Sequence, residues 1–253
     1  MMIHWLLLAA SLLAPFASIG SGLDPSPRRQ LEIESPSGEE SGPMSGLITT
    51  RLSPRQLERW QEIKQLAFAE DENGEPLHPI LRGLWEWAEL SQHAIYIEML
   101  ARTRYRLSLA GNFQVRQFDP RGKRHVAVIQ ISLSNIDRAY VGPVAARTNG
   151  FIPFQGLSKQ ERYAEVLGHE LAHAEWILSD VERARKDKEL VGQTNEWLLF
   201  RNRHRGSKPL GAVLQRRLHE RDSFLLEVEA HAETVEVLVW QELMASQQAR
   251  ARN

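Results

Sequence analysis

Between Arg104 and Ser134 the apolar residues of this chain change period, and that change constrains its fold more than any other feature. Before it, "SPRQLERWQEIKQLAFAED" and "LHPILRGLWEWAELSQHAIYIEMLAR" space their apolar residues by three and four, as helices do. Ser53 stands where a helix N-cap is wanted, and Pro54 takes the first helical position. Then "RYRLSLA", "FQVRQF" and "HVAVIQISLS" alternate as strands, with turn signals at Gly111–Asn112 and at Asp119–Gly122. After the loop "VGPVAARTNGFIPFQG" the chain reads as helix from Ser158 almost to its end, interrupted by the basic stretch "RNRHRGSKP". A short block of strands flanked by helices predicts an α+β domain over residues 51–253, with a three-stranded antiparallel sheet.

The residues before that domain read differently. The apolar stretch "WLLLAASLLAPFA" is short, contains Pro15 and runs into small residues. Residues 1–20 are therefore expected to be a signal peptide, with an uncleaved membrane anchor as the alternative. Residues 21–50 are rich in Pro, Ser, Gly and Glu without sustained apolar period, which predicts a disordered linker. The expected location is secreted, periplasmic or otherwise extracytoplasmic, with contact to a membrane only if the first segment is retained.

Lysine and arginine (31) nearly balance aspartate and glutamate (32), so no overall field favours nucleic acid as a partner. The basic segment Arg201–Arg217 lacks interleaved aromatics and reads as a solvated loop. There is no cysteine, which excludes disulfides, thiolate metal sites and cysteine nucleophiles together. Any metal site must be built from His, Asp and Glu.

Such a site is suggested by "VLGHELAHAEW", Val166–Trp176. His169 and His173 are four apart and share one helical face, so both imidazoles can reach one ion. Leu167, Leu171, Ala174 and Leu178 form a core-facing stripe, with the histidines at its edge. Zinc accepts imidazole and carboxylate ligands and leaves a position for water when three protein ligands are present. Glu170 is placed to take a proton from that water.

"VLGHELAHA" resembles the His-Glu-x-x-His signature of the zincin metallopeptidases, and the resemblance implies zinc on His169 and His173 with Glu170 as general base. It also implies a zincin-like fold in which a later helix completes the site. The metzincin branch would need Gly and His where Trp176 and Ser179 stand, so the resemblance is to the gluzincin type, whose third ligand is a downstream glutamate. Asp180 is the aspartate alternative, but a continuing helix would turn it away.

The helix "FLLEVEAHAETVEVLVW", Phe224–Trp240, offers four glutamates. At about 100° per residue Glu229, Glu233 and Glu236 fall together as a solvated face, while Glu227 lies opposite among Phe224, Ala230, His231 and Leu238. A carboxylate among apolar neighbours is costly unless it is paired or ligates a metal, which selects Glu227 as third ligand. Glu229 and His231 are the other candidates. The stretch resembles the Glu-x-x-Ala-Asp pattern of gluzincin groups, with His231 in place of the aspartate.

The expected activity is zinc-dependent hydrolysis of a peptide bond in a peptide or protein substrate, by a zinc-bound water that Glu170 activates. Tyr140, Tyr163, His204 and His219 are candidate donors to the developing oxyanion. As in zincins generally, the last strand before the active-site helix, "HVAVIQISLS", is the candidate edge for pairing with extended substrate. Two other functions fit the same residues: a zinc-dependent amidase acting on cell-wall peptides, and a non-catalytic zinc-stabilised binding domain.

Overall fold

The computed structural model describes residues 46–100, 110–139, 152–193 and 212–252. The expected signal segment and nearly all of the expected linker lie outside them, as do the basic stretch "RNRHRGSKP" and most of "RYRLSLA". No helix among the described residues is long and apolar enough to cross a membrane.

The elements run β1 (Gly46–Ile48), α1 (Pro54–Ala67), α2 (Pro79–Leu90), β2 (Ala94–Leu100), β3 (Gly111–Gln117), β4 (Val126–Ser132), α3 (Leu133–Asp137), α4 (Lys159–Leu178), α5 (Val181–Lys186), a π-helical turn (Asp187–Gly192) and α6 (Ala212–Arg252). The α+β class expected from the period change is the one observed. The sheet differs from the expected antiparallel meander: it has four strands in the order β1-β2-β4-β3. β1 and β4 both pair with β2 in parallel, and only β3–β4 is antiparallel.

Two local features account for the difference. The sequence pattern continues the second helix through Ala94–Leu100, but that helix ends at Leu90 and these residues form β2. Ile95, Ile97 and Met99 are buried alternately, and the β-branched Ile95 and Ile97 with aromatic Tyr96 suit a pleated surface. β1 falls within the expected linker; three residues are too few to show a period. Gly46 is required there, because its φ is +76° and a Cβ would collide with the Glu89 carbonyl oxygen.

The sheet order also removes "HVAVIQISLS" as a substrate edge. It forms β4, which is hydrogen-bonded on both sides, to β2 and to β3. The outer strand next to it is β3.

α4 is the central helix. Its start is fixed by a capping box, as Ser158 Oγ accepts the Glu161 N–H (3.4 Å) and the Ser158 N–H donates to Glu161 Oε2 (2.8 Å). The stripe Leu167, Leu171, Ala174 and Leu178 is buried as expected, and so is most of the rest of the helix. α6 packs along it in the antiparallel sense, with Phe224 beside Trp176 at one end and Arg250 paired with Glu161 at the other. Gly168 allows the two backbones to approach: a Cβ there would sit 3.2 Å from Val239 Cγ2. Leu81 and Trp85 on α2 complete the core beside this helix pair.

Candidate metal centre

The two histidines of α4 face each other at their Nε2 atoms, 2.9 Å apart, with the rings nearly perpendicular. Helical spacing alone places them so, one turn apart on a buried helix. Glu229 on α6 meets both: Oε2 lies 3.6 Å from His169 Nε2, and Oε1 lies 3.7 Å from His173 Nε2. One ligand atom from each of His169, His173 and Glu229 lies within 4.8 Å of the others, a group that could hold a metal ion. Tetrahedral zinc at 2.0–2.1 Å from each donor would separate the donors by about 3.3 Å, so the histidine nitrogens would part by a few tenths of an ångström and one Glu229 oxygen would move in toward both. The donor chemistry, two imidazoles and a carboxylate, suits the same ion.

The other nitrogen of His169, Nδ1, is hydrogen-bonded to Glu236 Oε2 at 3.1 Å. Glu236 is buried, and its carboxylate can accept the Nδ1 proton, so Nε2 is the nitrogen that His169 would offer to a metal. Burial opposes charge on His169, but the carboxylates of Glu229 and Glu236 outweigh it and hold its pKa well above the ordinary value.

Glu170 is only 4% exposed. Its Oε2 has no hydrogen-bond partner among the described residues. Burial, with the negative fields of Glu229 and Glu236, pushes its pKa up to about 8, although His169 pulls the other way. Its carboxylate end lies against Gly111 at the start of β3.

Of the residues expected at the site, His169, Glu170 and His173 are brought together and Glu227 is not. Glu227 is exposed on the far side of α6, since two residues turn a helix by about 200°. The expected solvated face is also corrected, because Glu236 is buried within the stripe Phe224, Val228, Ala232, Val239 and Leu243 that faces α4. Apolar residues occur all round this helix, with Leu226 and Leu238 exposed, so the apolar side could not be chosen by counting. The premise that a carboxylate inside the stripe has a partner survives; the residue it selects is Glu236, with Glu229 beside it.

Glu236, expected on the solvated face, stands behind His169, and Glu229, an alternative to Glu227, is the glutamate that meets the histidines. A signal was present, because the Glu-x-x-Ala-acid spacing also begins at Glu229, with buried Ala232 and then Glu233. Glu229 and Glu236 are seven apart, two turns on one face. His231 packs against Trp176, ring centroids 6.1 Å apart, and is outside the group.

The remaining candidates are elsewhere. The Tyr163 hydroxyl donates to Asp137 Oδ1 (2.7 Å), and burial together with that carboxylate raises its pKa. His219 is exposed, ten residues before Glu229, about 15 Å along the axis. Asp180 caps α5 by accepting the Arg183 N–H at 2.9 Å, which lowers its pKa. Tyr140 and His204 lie outside the described residues.

Comparison of the chain with protein-family models, with curated proteins and with solved structures finds no match to any of them.

Proposed function

We propose that this chain is a zinc-dependent peptidase in which His169, His173 and Glu229 hold the metal and Glu170 is the general base. The observation that carries the proposal is the convergence of two imidazole Nε2 atoms and the Glu229 carboxylate beside buried Glu170, whose Oε2 has no hydrogen-bond partner among the described residues. A zinc ion bound there supplies Lewis acidity and lowers the pKa of a water that reaches it. Glu170 takes the proton from the attacking water and passes it to the leaving amine. Glu236 holds the His169 ring and its tautomer, so that Nε2 stays available as a donor.

Glu170 also separates catalysis from metal storage, because a purely structural site needs no base beside it. The test measures bound zinc and hydrolysis of a fluorogenic peptide library for wild type and for Glu170→Gln. The expected result is equal zinc in both and cleavage by wild type alone. Zinc in both with cleavage by neither would leave a binding domain; a wild-type chain that takes up no zinc would remove the metal site itself.

A further inference from the structure

The sequence pattern places Gly111 in a turn with Asn112, yet it is the first residue of strand β3, paired with Ile131 across the ladder. Glycine in a strand costs stability and calls for a reason. The backbone does not supply one, because its φ lies outside the left-handed region that favours glycine. The space around it does. A Cβ at position 111 would lie 2.7 Å from Glu170 Cγ and 2.8 Å from Cδ, and closer still to Oε1. Such separations below 3.0 Å are not tolerated, so the whole carboxylate end of Glu170 occupies the volume a side chain would fill.

We propose that Gly111 is a positioning residue for the general base: by lacking a side chain it lets the Glu170 carboxylate rest between the sheet edge and the two histidines. The inference depends on the peptidase reading for its consequence in catalysis, but the packing it describes does not. Glu170 directly follows His169 on a helix buried almost all round, so a shift of its carboxylate changes where the base stands beside the ligands. The three atoms nearest a Cβ at position 111 all belong to Glu170, and none to His169, His173 or Glu229. A side chain there therefore meets the Glu170 carboxylate before any of the three ligands.

The experiment compares wild type, Gly111→Ala, Glu170→Asp and the double variant as the full chain loaded with zinc. Gly111→Ala is expected to keep its zinc and its KM within about threefold and to lose roughly a hundredfold in kcat, the scale of misplacing a catalytic group by about 1 Å. Aspartate is one methylene shorter, so adding Glu170→Asp to Gly111→Ala should restore kcat at least about tenfold over Gly111→Ala alone. A Gly111→Ala enzyme with wild-type kcat overturns the inference. A parallel thermal-stability cycle with Glu170→Ala reads the same contact without activity. Gly111→Ala should lower Tm in wild type, or prevent folding, and should not lower it once Glu170→Ala has removed the opposing carboxylate. Additive Tm changes would refute the packing argument; a wild type without zinc or cleavage would instead refute the peptidase reading and leave this cycle to decide on Gly111.

Discussion

Replacing Glu229 by alanine, beside the same change at Glu227, tests which face of α6 serves the site. The Glu229 side chain is 48% exposed and its oxygens stand 3.6 and 3.7 Å from the histidine nitrogens. Truncation therefore costs little in packing, and its effect should be confined to metal affinity. Zinc sites with four protein ligands bind with about 10–16 kcal/mol, or roughly 3 kcal/mol per ligand, which corresponds to a loss on the order of a hundredfold or more in affinity. At free zinc about 1,000 times the wild-type Kd, binding stabilises the fold by about 4 kcal/mol; a hundredfold weaker site gives about 1.4 kcal/mol. At about 2–4 °C per kcal/mol for a domain of this size, the zinc-induced rise in Tm should shrink by roughly 5–10 °C. Differential scanning fluorimetry at buffered zinc measures that rise, and competition with a chromophoric chelator measures Kd directly. Glu227→Ala should behave as wild type in both. If Glu227→Ala loses the zinc-induced shift and Glu229→Ala keeps it, the placement of α6 against α4 is refuted.

Glu236→Ala should weaken zinc binding by about 10–100-fold, as loss of a carboxylate behind a ligating histidine does elsewhere, and the chelator competition would show no change if Glu236 were only filling space. His93 and His125 are buried and stacked 4.8 Å apart, and the Nδ1 atoms accept the backbone N–H groups of His125 and Asp119 respectively. Burial lowers both pKa values, so the fold keeps them neutral; this contribution is intact above the unfolded histidine value near 6.5 and is lost as pH falls below it. Denaturant unfolding of wild type should therefore weaken from pH 7.5 to 5.5 more steeply than that of the double variant His93→Asn/His125→Asn, and equal slopes would contradict the assignment. Burial pushes the Asp187 carboxyl up to about 7 from 3.8, so the fold favours its proton and stability falls as pH rises between those values. Asp187→Asn, whose amide oxygen can still accept the Val115 N–H, should gain on the order of 2 kcal/mol over wild type at pH 8 and little at pH 4; a gap of the same size at both would show another cause.

The helical parts of the fold were legible because their signals are local. Ser158 with Glu161, Ser53 with Pro54, and the stripe from Leu167 to Leu178 each declare themselves within a few turns. β2 was not legible: its apolar run follows α2 without a glycine or proline, and a short buried run has the same composition in either state. Strand order depends on which elements meet across the fold, and no residue in β4 records that both its edges are occupied. The metal group was half legible for the same reason. His169, Glu170 and His173 sit on one helix, where spacing fixes geometry, whereas Glu229 and Glu236 depend on the rotation of a second helix about its own axis. That rotation is set by packing against Val228, Ala232 and Val239, which resemble the exposed Leu226 and Leu238 in everything but location. Gly111 looked like a turn because the carboxylate that excludes its side chain comes from 59 positions further on.

α6 is a single helix of 41 residues, and its alignment along α4 is pinned far from the histidines. Arg250 binds Glu161 at 2.8 Å, Gln247 binds the same carboxylate, and Glu242 accepts the N–H groups of Ile80 and Leu81 at the start of α2. Arg250 is 21 residues beyond Glu229, about 30 Å along the axis. A slip of one residue there would carry Glu229 and Glu236 about 1.5 Å along the groove and turn both by about 100°. The helix thus behaves as a caliper steadied at its far end, so contacts about 30 Å from Glu229 help to hold the carboxylate against the imidazoles.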